Sequence, residues 1–218
     1  MHFDPTKYRF VDLTLSYDNQ VAGYQREVSK SIEKDGWNAS TLTLYSHAGT
    51  HMDAPLHFGV NTTSIDHFTP DQLIGKAWVA NIPVQDSQVS IQIKDLGVIA
   101  EQLEEGDSLL LRTGWSQYLG LGKYRHELPR ISEGLANWCV KKRVRMLGVE
   151  PPSVADVNNL AEVTLIHQIL LGGKVIIIEG LCNLDQLAQE KVLLIALPLK
   201  ILNGDGAPAR VIAIEEKT

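Results

Sequence analysis

The stretch NNLAEVTLIHQILLGGKVIIIEG, residues 158–180, decides the fold class. Residues 158–173 read as an amphipathic helix closed by two glycines, a common way to end a helix. Residues 174–180 follow at once, and the run Val-Ile-Ile-Ile has the β-branched character of a buried strand. A helix that feeds directly into an apolar strand is the pattern of an α/β protein.

The same kind of segment recurs on both sides. GKAWVANIPV (75–84), DSLLLRTGW (107–115), VRMLGVE (144–150), KVLLIALPLKIL (191–202) and ARVIAI (209–214) read as strands. Helices are expected at 95–103 and from an N-capping Ser132 to about residue 143. Near-continuous apolar strands separated by helices imply a sheet covered on both faces. FVDLTLS (10–16) and TLTLYS (41–46) alternate instead, and the first third of the chain has few helices. The expectation is therefore one α/β domain over residues 1–218, with a mixed sheet and flanking helices.

The chain has 218 residues, enough to bury a core without disulfide or metal staples. Its formal net charge of −6 and the absence of a basic stripe argue against nucleic acid as a partner. The basic cluster KKRVR (141–145) reads as a solvated helix end. The apolar runs are too short to span a membrane. Cys139 and Cys182 read as small buried hydrophobes, and with no signal peptide in view a reduced cytoplasmic setting is expected.

The chemistry concentrates in HAGTHMDAPLH, residues 47–57. Fully extended, this segment would hold His47 and His51 roughly 13 Å apart, too far to share one ion. The chain must curl, and Gly49 permits the bend, while Pro55 keeps Asp53-Ala54 out of a helix. Two imidazoles and a carboxylate, from His47, His51 and Asp53, suit a divalent transition metal with open positions. Such a metal activates water for hydrolysis, and His57 could carry the proton, its pKa lying near operating pH. A polar loop or a structural hydrogen-bond cluster is the alternative reading.

His167 and Glu179 form a second candidate pair. Six residues of helix climb about 9 Å and five of strand return about 17 Å, so the two side chains can converge. A carboxylate at the end of a buried strand is costly unless it is paired or bound to metal. A satisfied core histidine and a solvated strand-end acid are the plainer alternatives. Thr113, Trp115, Trp37 and Tyr24 are candidates for a pocket wall, with core packing as the competing role.

These residues carry a resemblance. His47 to His57 is similar to the HxGTHxDxPxH signature of the cyclase-like metal hydrolases, the family of bacterial kynurenine formamidase and isatin hydrolase. RTGW (112–115), LGVEPPSV (147–154), HQILL with IIEGLCNLDQL (from His167) and ALPLKILNGDGAPAR (196–210) resemble the family in the same order. The resemblance implies a swivelling β/β/α fold. It implies His47, His51, Asp53, His167 and Glu179 as metal ligands, with His57 as general acid–base. It implies one or two divalent ions, zinc as in the formamidase branch or manganese as in isatin hydrolase. It implies cleavage of an amide, formamide or lactam C–N bond of a small molecule, and a homodimer or homotetramer. A lactone or other cyclic-ester hydrolase is the alternative on the same ligands, followed by a non-catalytic metal-binding module. The chain departs from the family pattern in three places. It lacks the Trp-Pro-Gly-Asp-like element of the formamidase branch within 16–38. Glu150 stands where aspartate is usual, and Gly180 where an amide side chain is usual.

Overall fold

The computed structural model describes residues 4–217; residues 1–3 and 218 of the expected domain lie outside them. The strands are β1 (Tyr8–Asp12), β2 (Tyr24–Lys30), β3 (Ala39–Leu44), β4 (His51–Asp53), β5 (Ile74–Asn81), β6 (Ser90–Ile91), β7 (Ser108–Arg112), β8 (Arg130–Ile131), β9 (Met146–Val149), β10 (Ile176–Glu179), β11 (Lys191–Pro198) and β12 (Gly206–Glu216). The helices are α1 (Ile32–Asp35), α2 (Ile99–Gln102), α3 (Gly122–His126), α4 (Glu133–Lys141) and α5 (Leu160–Gly172).

Eight strands form one sheet in the order β1-β12-β11-β5-β7-β9-β10-β4. β5, β7, β9 and β10 run parallel to their neighbours in that series. Parallel neighbours need crossover connections, and α2, α4 and α5 lie in the three crossovers. The other pairings are antiparallel, so the sheet is mixed as expected. One feature exceeds the expectation. β12 pairs with β11 along most of its length and with β4 through Gly206, Ala207 and Pro208. The sheet thereby closes on itself into a barrel, with β1 as an outrigger on β12.

The apolar runs are explained by two cores. Along β5, Ala77 and Val79 face the barrel interior, while Trp78 and Ala80 face the outer layer. Leu110 of β7 points inward, and its neighbours Leu109 and Leu111 point outward. Ile176 and Ile178 of β10 point inward and Ile177 outward. Both faces are buried, one by the opposite barrel wall and one by α4 and α5 packing outside it.

Local capping agrees with the sequence, with shifts at the ends. Ser132 accepts a bond from the Leu135 amide at 3.1 Å and opens α4. α5 starts at Leu160, because Asn159 caps it by accepting from the Glu162 amide. The segment 41–46 does not join the main sheet. β3 pairs only with β2, and the two form a projecting hairpin on which Val28 and Leu42 are solvent-exposed. No helix among the described residues is long and apolar enough to cross a membrane.

Candidate metal centre

β4 is only three residues long, yet it organises the site. Successive side chains on a strand point to opposite faces. Met52 therefore enters the barrel interior, and His51 and Asp53 share the outer face beneath α5. β10 lies antiparallel to β4 and sets Glu179 directly opposite His51. α5 then lowers His167 onto the same spot from its buried side, beside Ile166, Leu170 and Leu171. The convergence expected of the helix–turn–strand segment is realised: His167 Nε2 lies 3.3 Å from Glu179 Oε1 and 3.5 Å from Asp53 Oδ2.

The bend before β4 also matches expectation. Gly49 has φ of +61° and turns the chain between His47 and His51. Thr50, inside the motif but given no role by the sequence, is fully buried. Its hydroxyl accepts from the Leu15 amide at 2.8 Å and donates to the Gly180 carbonyl. Gly180 has φ of +68°, and a Cβ built there would stand 2.3 Å from the Gly49 carbonyl oxygen. The missing side chain lets the two backbones meet. The Gly49 carbonyl is thereby held where His51 Nδ1 donates to it at 3.0 Å.

The hydrogen bonds fix the tautomers. A carbonyl can only accept, so Nδ1 carries the proton on His51, facing Gly49, and on His167, facing the Val163 carbonyl at 2.7 Å. In the neutral rings Nε2 is then the lone-pair nitrogen, and both Nε2 atoms aim at the carboxylates. His51 Nε2 is 3.2 Å from Glu179 and 3.6 Å from Asp53. Such outer hydrogen bonds are the usual support of metal-binding histidines. Glu179 is oriented by the Val154 amide, which donates to Oε1 at 2.7 Å.

Two ligand triads share Asp53: His47-His51-Asp53 and Asp53-His167-Glu179, the ligand atoms of each lying within 4.8 Å of one another. Asp53 Oδ2 is buried and has no hydrogen-bond partner, a costly arrangement for a carboxylate. An orphaned carboxylate oxygen among imidazole nitrogens fits the binding of one or two divalent cations. The donor set therefore fits the metal that the sequence implies.

His47 and His57 lie on the outer side. His47 Nδ1 is 2.8 Å from Asp53 Oδ1, and its Nε2 is 3.0 Å from Asp205 Oδ2. His57 stacks on His47 with ring centroids 3.8 Å apart, and its Nδ1 is 3.6 Å from the same Asp205 oxygen. Asp205 was missed by the sequence reading. It lies in the loop before β12, and its only local signal is a carboxylate between two glycines in NGDGAP.

Burial opposes a charged ring on His47, but the hydrogen bonds its N–H groups donate to Asp53 and then Asp205 overcome it and raise its pKa to about 9. Without metal, the stability this provides is complete below the unfolded-state pKa of about 6.5. It is lost as pH rises through about 9. Metal-free protein should therefore lose on the order of 2–3 kcal/mol between about pH 6.5 and 9, in excess of the metal-loaded form. Thermal melts of both forms across that range check this, and parallel curves would refute it. Metal binding should also release protons, visible as a buffer-dependent binding enthalpy.

The centre opens into a pocket of about 210 Å³. Phe58, stacked on His167 at 4.3 Å, joins Val157, Val163 and Pro152 as its apolar wall. Larger clefts lie beside the hairpin and around Arg145, but none of the ligand triads borders them.

The four expected wall residues lie elsewhere. Trp115 is fully buried in a separate cluster with Val84, Tyr124 and Leu128. Thr113 binds Glu150, Trp37 is exposed after α1, and Tyr24 borders the cleft beside the hairpin. The Glu150 departure also has a defined consequence. Its buried Oε2 accepts from the Thr113 hydroxyl and from the Thr113, Gly114 and Trp115 amides, and its Oε1 from Ser116. Its carboxylate shapes the 113–116 turn.

Residues 11–156 match the family described as "Putative cyclase". A kynurenine formamidase of Bacillus cytotoxicus is 31% identical over 210 residues, covering 93% of this chain and 96% of that protein. One from Bacillus cereus is 30% identical with the same coverage. The fold is similar to isatin hydrolase A from Labrenzia aggregata, with a TM-score of 0.88 at 24% identity over 97% and 95% of the two chains.

Proposed function

This chain belongs to the cyclase family, and from that footing we propose that it hydrolyses the C–N bond of a formamide or another small amide. His47, His51, Asp53, His167 and Glu179 would hold the divalent metal. The observation that carries the reading is the convergence of three imidazoles and two carboxylates around the orphaned Asp53 oxygen. A divalent metal bound there supplies water activation and carbonyl polarisation. The mixed imidazole and carboxylate donors suit zinc, with manganese as the second candidate.

His57 is the proton carrier of this proposal. Burial holds its pKa below the usual histidine value, and its half-buried ring borders the pocket. Near neutral pH it is therefore uncharged and ready to accept a proton as the water oxygen bonds to the acyl carbon. When the C–N bond breaks, the same ring returns the proton to the leaving nitrogen. The products are the amine and the carboxylic acid. Asp205 orients His47 and, through the stacked ring, His57. The small pocket favours a substrate of about one ring, since sites for drug-sized ligands run from about 300 Å³.

The test is a substrate screen on purified protein before and after chelation. Aryl formamides should be hydrolysed, with at least a tenfold loss on chelation and recovery on adding back a divalent ion. Turnover of small lactones alone would replace the amide reading. Chelator-resistant amide hydrolysis would overturn the role given to the metal.

A further inference from the structure

A second cavity, of about 410 Å³, has the size of a small-molecule site, a class that starts at about 300 Å³. No residue of the metal-ligand triads lines it. Pro55, Phe68, Leu171, Val175 and Ile176 supply its apolar lining. Arg145 and Lys174 line it too, against one acid, the exposed Asp71. On a chain of net charge −6, this wall carries a local excess of positive charge.

Neither cation has an ion pair among the described residues. Arg145 is half-buried, and its Nη1 donates to the carbonyls of Asp71 at 3.0 Å and Ile74 at 2.6 Å. Gly75 leaves room for this, since a Cβ there would stand 2.7 Å from Nη1. The two carbonyls orient the guanidinium without cancelling its charge. Asp71 feels that charge but does not pair with it.

The Lys174 ammonium makes no hydrogen bond with any described residue either. Its backbone has φ of +64°, a left-handed conformation that glycine adopts without steric cost and lysine does not. The two preceding residues are glycines, but Gly173 is needed for packing, because a Cβ there would stand 2.3 Å from Val140 of α4. The left-handed position falls to Lys174, and its side chain lines the cavity.

We propose that this cavity is a second binding site, separate from the metal centre, for a small carboxylic acid with an apolar body. The apolar lining takes the body, and Lys174 with Arg145 takes the carboxylate in a charge-assisted pairing. The lining joins three parts of the fold. Pro55 follows β4, Leu171 lies on α5, and Ile176 starts β10. A bound acid touches all three, so it should raise the melting temperature of the wild type.

The test uses the metal-loaded protein as wild type, Lys174→Gly, Lys174→Glu and Lys174→Arg. The probe is para-bromobenzoate, with para-bromobenzyl alcohol as the uncharged control. In crystals soaked with the acid, anomalous scattering from bromine should place it in this cavity. Calorimetry should give a Kd at or below about 1 mM for the wild type. The alcohol should bind about tenfold more weakly or worse. Lys174→Glu and Lys174→Gly should lose about tenfold or more in affinity at this site, and Lys174→Arg should keep most of it. Without acid, Lys174→Gly should melt no lower than wild type, since glycine relieves the left-handed backbone, so its lost affinity is not a folding defect. No binding to wild type, bromine found only at the metal centre, or an unchanged affinity in Lys174→Glu overturns the proposal. A lower melting temperature in Lys174→Gly together with unchanged binding marks a purely structural lysine and overturns it as well.

Discussion

His51→Ala should empty the metal centre and abolish hydrolysis together. Its Nε2 is the nitrogen nearest Glu179 Oε2 and also faces Asp53, so one ring serves both carboxylates. Outer hydrogen-bond partners of metal ligands commonly matter by 10–100-fold, and loss of a ligand itself should cost more, at least about a thousandfold in kcat/KM. Elemental analysis should find the bound metal reduced to a small fraction of the wild-type content. The fold should survive, because His51 packs in the outer layer while Met52 anchors β4 in the barrel interior. A metal-free His51→Ala protein that kept full activity would sink the proposed mechanism.

Glu150→Ala should be strongly destabilising although it lies outside the metal centre. The side chain is 1% exposed, and its carboxylate satisfies three backbone amides and two hydroxyls. Removing it strands those donors away from water and opens a cavity. The expected loss is about 3–5 kcal/mol. In a chain of this size that lowers the melting temperature by roughly 6–20 °C. Glu150→Gln keeps the shape but turns an amide group toward amide donors, so it should fall between the two. A melting temperature within about 2 °C of wild type in Glu150→Ala would show that the 113–116 turn holds without its carboxylate.

Much of the centre was legible because its chemistry is locally dense. His47, His51, Asp53 and His57 lie within one segment, and the strand-or-curl argument at Gly49 needed only backbone dimensions. His167 and Glu179 were legible as a pair because one helix, one turn and one strand connect them. Asp205 was not, since nothing local marks a carboxylate that acts on a ring 158 residues away. β4 is too short to show a period. The 41–46 segment was legible as a strand, β3, but not in its surroundings. Alternation marks a strand without saying what covers its faces, and on the hairpin Leu42 lies open to solvent. Trp115 and Thr113 misled as wall candidates because an aromatic beside a glycine reads alike in a pocket and in a core.

The closure of the barrel has a consequence for the order of assembly. β4 is held on one side by β10 and on the other by the start of β12. During synthesis, the motif at 47–57 leaves the ribosome long before either partner strand exists. Pairings between such distant segments form late and make folding slow. The histidines and the acid of the motif thus wait through most of translation without the strands that position them. They acquire a defined coordination shell only when the final strand docks and brings Asp205 with it.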